Sequence, residues 1–244
     1  MTKRVFSSIA LAFGLLVGVG SSAMAAEEGG LPSAGTNVGD QASLQRGAKL
    51  FFNYCVGCHS LKYVRYSRLA EDLGLSEKDV MDNLNMTGAK FGEPVVSHMP
   101  EANAQQYFGK APPDLSLEVR AKGADWVFGY LNAFYLDPSR PVGWNNVVFP
   151  NASMPNPLWE LQGTQIAVKK EGEDTVEKLE LAHPGKLSPE QYHQATRDLT
   201  NFLEYAAEPA ALQRQHYGIW VLLFLAGFTF LAYMLKKEFW KDVH

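Results

Sequence analysis

Cys55-Val56-Gly57-Cys58-His59 sets two thiols three positions apart with an imidazole directly behind the second, and no other cysteine is present in the chain. That spacing is the geometry that fastens a haem covalently: the thiols add across two vinyl groups and the following histidine offers an axial nitrogen to the iron. One motif implies one haem c and leaves no thiol for a structural disulfide. Two other readings of the pair weaken on inspection. A redox-active disulfide of the thioredoxin kind expects a strand before the motif and a helix after it, whereas Ser43 to Tyr54 reads as helix up to the cysteines. A zinc site needs two further ligands at close spacing, and the nearest other histidine, His98, lies in a stretch without cysteine.

Two topogenic signals bracket the chain. Lys3 and Arg4 precede an apolar run from Val5 to Gly20, and Ala23-Met24-Ala25 offers an A-x-A cleavage site. Residues 1–25 therefore read as a secretory signal, cut after Ala25 or Ala26 and leaving the haem domain in the periplasm. Gly218 to Leu235 carries no charge and at ~1.5 Å per residue spans about 27 Å, close to the ~30 Å hydrocarbon core. Residues 217–235 are expected to cross the membrane once. Lys236, Lys237 and Lys241 follow, against Arg214 on the other side, so the positive-inside bias puts the tail, residues 236–244, in the cytoplasm. A bacterial inner membrane protein with its soluble part outside follows. The net charge of −4 becomes more negative once Lys3 and Arg4 are removed, which argues against nucleic acid and suits a docking partner with a basic face.

Between the signals lies one domain, residues 43–209, behind a Gly-, Ser- and Pro-rich stretch, 26–42, that reads as a loosely ordered leader. Asp40 or Ser43 caps a helix in which Leu44, Ala48, Phe51 and Tyr54 recur at helical spacing and which delivers the cysteines. Leu61 to Leu73 reads as helical, and Ser76 to Asn85 as a helix with a serine cap. Thr87 to Gly109 has little period and is expected to be an insertion wrapping the cofactor. Pro112-Pro113-Asp114-Leu115-Ser116 forms a rigid turn into a helix through Arg120, and another helix runs from Ala124 to Asn132. Leu136 to Leu158 is a long irregular stretch rich in Pro, Asn and Gly, too apolar for disorder. Thr164–Val168 and Thr175–Leu181 read as a β-hairpin outside the helical core. Ser188-Pro189-Glu190 opens a last soluble helix to about Ala207. The fold class is mainly α: a helical haem domain in which first and last helices pack together, with loop and hairpin insertions and one C-terminal transmembrane helix.

A second axial ligand decides between a six-coordinate iron that passes electrons and an open one that binds gas or substrate. Met81, Met86, Met99 and Met154 are candidates, with His98 a bis-histidine alternative. Met154 is best placed, because Pro155 and Pro157 stiffen its backbone and it falls just before the terminal helix. Arg120 is a candidate partner for a haem propionate, since a buried carboxylate needs a counter-charge, although by spacing alone an arginine in a helix is more often a solvated surface residue.

Beyond these local readings, RGAKLFFNYCVGCHSLKYVRYSRL, APPDLSLEVRAKG, SMPNPLW and NFLEYAAEP followed by a single span resemble the cytochrome c1 family, the membrane-anchored haem subunit of quinol:cytochrome c oxidoreductase (respiratory complex III). The resemblance runs from about Ser43 to the C-terminus. It implies that Cys55 and Cys58 attach haem c, that His59 and Met154 are the proximal and distal ligands, and that Arg120 binds a propionate. It also implies a relay, taking one electron from the Rieske iron–sulfur protein to a soluble or membrane-tethered cytochrome c while cytochrome b oxidises quinol, with no substrate chemistry in this subunit. Some bacterial relatives brace the methionine loop with a disulfide; this chain has no cysteine to spare, so the prolines are expected to keep the loop rigid. A haem c electron-accepting subunit of another exported membrane oxidoreductase is the alternative reading.

Overall fold

The computed structural model describes residues 30–169 and 175–242, so the expected signal segment lies outside the described residues. All elements named below belong to the unit that begins at Pro32. Helix α1, Gln41–Tyr54, starts where the Asp40 side chain accepts from the Ser43 backbone N–H. It buries Leu44, Gly47, Ala48, Phe51 and Phe52, the i, i+3, i+4, i+7, i+8 stripe of a helix with one apolar face. Far along the chain, α8, Pro189–Ala207, opens on a capping box between Ser188 and Gln191 with proline in its first turn. These two helices pack against each other as expected, through Phe51 and Phe202 with ring centroids 5.7 Å apart. Gly47 is the crossing point, since a Cβ there would lie 2.0 Å from the Asp198 carbonyl oxygen. Beside it the Asp198 carboxylate, 2% exposed, accepts from Ser43 Oγ at 2.7 Å and from Arg46 Nε at 2.6 Å, so its charge is paired where burial alone would be costly.

Between them run β1 (Leu61–Arg65), α2 (Tyr66–Leu73), α3 (Glu77–Asn83), β2 (Pro94–Val95), α4 (Glu101–Phe108), α5 (Glu118–Lys122), α6 (Ala124–Asn132), β3 (Phe134–Leu136), β4 (Trp144–Asn146), α7 (Trp159–Gln162), β5 (Gly163–Lys169) and β6 (Val176–Pro184). The strands form three two-stranded antiparallel sheets among the described residues. The fold is mainly α, with hairpins added to a helical domain. Helix α6 occupies the expected span without change, and the β5–β6 hairpin stands over the expected segments, its strands longer than expected.

Four expectations are corrected, the first being the irregular stretch 136–158, which holds β4 paired antiparallel with β3. Leu61–Leu73 is a strand followed by a helix, because Leu61 pairs with Val95 and Arg65 with Pro94 across a register shift. The stretch 87–109 contains β2 and all of α4, whose one buried residue is Ala104, so no periodic stripe announces it. The leader is not loose from Ala34 onward: Ala34 N–H donates to Asp125 at 2.6 Å, Arg197 Nε donates to the Ala34 carbonyl at 2.7 Å, and Asn201 Nδ2 donates to the Asn37 carbonyl at 2.9 Å. Side chains of α6 and α8 satisfy its backbone where no sheet or helix does.

Helix α9, Ala210–Phe239, is long and apolar enough to cross a membrane, and none of its most apolar stretch is buried. It starts before and ends after the expected span: its 30 residues cover about 45 Å at ~1.5 Å per residue, more than the ~30 Å of a hydrocarbon core. Glu208 and Pro209 break it from α8.

Candidate functional site

The motif turn is a continuation of α1. Cys55 N–H donates to the Phe51 carbonyl at 2.8 Å, and the Cys55 carbonyl in turn accepts from Cys58 N–H at 3.0 Å and His59 N–H at 2.8 Å. Both cysteines are free thiols, Cys55 buried and Cys58 half-buried. Burial, with Cys58 adding to it, pushes the Cys55 thiol up to about 12, and burial raises Cys58 as well. A redox pair of the thioredoxin kind works through a thiolate of lowered pKa; here the environment favours neutral thiols, and the helix precedes the motif while the strand follows it. Among the described residues no group of three or more His, Cys, Asp and Glu side chains is placed to hold a metal ion.

His59 is 8% exposed, and its Nδ1 lies 2.8 Å from the Pro113 carbonyl oxygen. A carbonyl only accepts, so Nδ1 carries the proton and Nε2 keeps the lone pair that a metal needs. Burial pulls the imidazole's pKa down, against the opposing pull of the Pro113 bond and of Glu118 and Asp114, so the ring is held neutral. The Pro112–Ser116 turn is docked on the strand after the motif: Leu115 N–H donates to the Ser60 carbonyl at 2.9 Å, Lys62 N–H to Asp114 Oδ2 at 3.0 Å, and Tyr63 N–H to Ser116 Oγ at 3.2 Å. On the other side Ser97 Oγ donates to the Gly57 carbonyl at 2.8 Å, and Ser97 N–H to Ser60 Oγ at 2.9 Å. Pro113 and Ser97 were not singled out in the sequence; the double proline before an Asp-x-Ser turn is the signal that marks the first, and nothing local marks the second.

The alternative ligands fall into different settings. His98 and Met86 are exposed and line, with Thr87, an open depression over Val56 and Gly57. Met81 is half-buried, and its sulfur accepts from Asn85 Nδ2 at 3.8 Å; Met99 is half-buried behind the Ser97 turn. Met154 is half-buried in a loop tied at both ends by buried amides. Asn145 Oδ1 accepts from Asn151 N–H at 2.8 Å, and Asn146 Oδ1 from Val148 N–H at 2.9 Å. Arg120 is 63% exposed and stands 3.6 Å from the Glu208 carboxylate, which also meets Arg214. Such a surface pair contributes about 0–1 kcal/mol, so an exchange of partner there is cheap.

The motif turn suits a covalently tethered porphyrin iron: two neutral thiols on one turn and an imidazole with Nε2 free. The thiols and the imidazole are brought together directly by the α1 turn; Met154 lies on a separate loop, and Arg120, on α5, pairs with Glu208 between α8 and α9.

Comparison with known proteins bears on what this set serves. The model of the Cytochrome C1 family matches residues 35–243. Cytochrome c1 of Allochromatium vinosum is 50% identical over 230 residues, covering 91% of this chain and 94% of the relative. The ammonia monooxygenase gamma subunit of Nitrosomonas europaea is 43% identical over 205 residues, covering 84% and 85%. The mitochondrial cytochrome c1 haem protein of Saccharomyces cerevisiae is 28% identical over 222 residues, covering 84% and 68%.

Proposed function

The chain belongs to the cytochrome c1 family, and from that premise we propose that it relays one electron from a Rieske iron–sulfur protein to a soluble or membrane-tethered cytochrome c, as the haem c subunit that assembles with cytochrome b. Proteins of this family carry a covalent haem c and are redox components of a cytochrome bc1 complex, not catalysts on their own. In this chain Cys55 and Cys58 are the attachment points, His59 the proximal ligand and Met154 the distal one. When bound, haem c supplies a one-electron couple at its iron, and a thioether ligand raises its potential relative to two imidazoles.

The protein's own part is orientation and exclusion. The Pro113 carbonyl holds the His59 ring with Nε2 free, which fixes both tautomer and direction. Pro155 and Pro157 limit how far the Met154 loop can swing away, so that water and gas are kept from the iron. Arg120 is the proposed propionate partner, exchanging Glu208 for it. Residues 1–25 are a signal and α9 the single anchor, with its lysine-rich end in the cytoplasm and the haem domain in the periplasm.

The observation that carries the reading is the neutral, Pro113-bonded His59 directly behind two free thiols. It is tested by reduced-minus-oxidised spectra with and without carbon monoxide. The wild type is expected to ignore carbon monoxide; Met154→Ala is expected to bind it and to fall in midpoint potential. Unchanged coordination and potential in Met154→Ala would remove Met154 from the ligand set.

The likeness to an ammonia monooxygenase gamma subunit favours a second reading, an electron-accepting haem c subunit of another exported membrane oxidoreductase. Both readings share haem and anchor, so the discriminating result is the partner. After mild detergent extraction, cytochrome b and a Rieske protein are expected to copurify; a different catalytic subunit in their place supports the second reading.

A further inference from the structure

Asn156 lies two residues beyond Met154 and is 2% exposed. Its Oδ1 accepts from Leu158 N–H at 2.9 Å, closing a turn across Pro157, and its Nδ2 donates to Gln162 Oε1 at 2.7 Å. Gln162, 8% exposed, passes the link on, its Nε2 donating to the Asn132 carbonyl at 3.3 Å. Asn132 ends α6, and its own side chain donates to Thr196 Oγ1 on α8 at 3.0 Å. A chain of amides thus runs from the methionine loop to the helical core; Asn156 and Gln162 are its buried members, while the half-buried Asn132 also accepts from Gln165 Nε2 at 3.0 Å. Prolines restrict the shape of the loop, but a proline has no N–H to donate; the amide chain supplies a tie to the core.

We propose that Asn156 and Gln162 are positioning residues for the distal ligand: the pair sets how firmly the Met154 thioether is held at the iron, the part a disulfide would play in a chain with spare cysteines. This rests on the assignment of Met154 given above. Burial of a polar pair in an interior of low dielectric makes it stiff, because any movement that breaks it leaves unsatisfied groups away from water. A merely structural pair would behave differently in one respect. Replacing both partners by apolar groups of similar shape is nearly neutral for stability, whereas replacing one is not, yet neither change restores the turn bond to Leu158 N–H.

The experiment compares wild type, Asn156→Leu, the double variant Asn156→Leu/Gln162→Leu, and Met154→Ala, all as haem-loaded protein in detergent. Read out are the midpoint potential, the carbon monoxide-reactive fraction of reduced haem, and thermal unfolding. Expected for both leucine variants is a lower potential and a rise of about tenfold or more in the carbon monoxide-reactive fraction, the scale of one lost bond to a buried partner. The double variant regains thermal stability relative to Asn156→Leu but not its potential. Wild-type potential and carbon monoxide inertness in a folded double variant would overturn the proposal, as would failure of both leucine variants to accumulate with haem, which would assign the pair to the fold alone. If Met154→Ala also changes nothing, the ligand assignment has failed; if only the leucine variants are silent, the positioning role has failed by itself.

Discussion

A chain carrying Cys55→Ala and Cys58→Ala together is expected to release all of its haem into acidified acetone, where the wild type releases none. The thioether bonds are the one part of the proposed attachment that acid cannot reverse, since protonation frees imidazole from iron and a thioether ligand is weak. The polypeptide itself should tolerate the change in shape: the turn is held by backbone bonds to the Cys55 and Phe51 carbonyls, not by sulfur. Cys55 is 7% exposed against the core, and truncating so small a side chain costs on the order of 1 kcal/mol. The larger loss is that of a tightly bound group that stabilises the folded state over the unfolded one. Each single variant keeps one tether and is expected to retain its pigment in acid, Cys58→Ala with the smaller effect on unfolding because Cys58 is half-exposed. Pigment that washes out of the wild type, or that stays in the double variant, would mean that the two sulfurs do not hold it.

How much of this was readable in advance depends on whether the signal was local. The caps of α1 and α8, the proline at the start of α8 and the uncharged run of α9 are short-range features with short-range causes; α1 and α8 formed where they pointed, and α9 formed around its run and extends beyond it. Strand β1 was misread because its buried residues are Leu61 and Val64, three apart as on a helix; the register shift against β2, which no single segment encodes, turns that spacing into a strand. Strand β4 was missed because Trp144-Asn145-Asn146 carries two residues disfavoured in strands. Their side chains are buried for another purpose, capping the backbone of the loop that follows. The site divides in the same way. The cysteines and His59 announce themselves by spacing, whereas the Pro113 carbonyl and the Asn156–Gln162 pair act through contacts between segments, and an asparagine in a proline-rich loop looks in sequence like any turn residue.

The second large effect is expected at Gly47, and it concerns the crossing on which the motif is mounted. In an exposed helix Gly→Ala gains about 1 kcal/mol, so propensity alone makes Gly47→Ala a stabilising change. The crossing reverses the sign. An added Cβ would lie 2.0 Å from the Asp198 carbonyl oxygen and 2.7 Å from Phe202 Cβ, and neither is the flexible end of a side chain that can swing aside. The helices would have to part, loosening the Phe51–Phe202 contact and the Asp198 bonds together. Overpacking of a close-packed interior costs about 1–3 kcal/mol, occasionally more, and a clash with backbone belongs at the upper end. A net loss on the order of 2–4 kcal/mol, a large share of the roughly 5–15 kcal/mol that holds a domain folded, is therefore expected in denaturant unfolding followed by tryptophan fluorescence. Gly57 gives the internal comparison: a Cβ there meets nothing within 4 Å, so Gly57→Ala should stay within about 0.5 kcal/mol of wild type. Equal stability of the two variants would show that α1 and α8 have room at Gly47 for a Cβ. Since α1 carries Cys55 at its end, a parted crossing should also disturb the His59–Pro113 bond and move the haem potential in Gly47→Ala but not in Gly57→Ala.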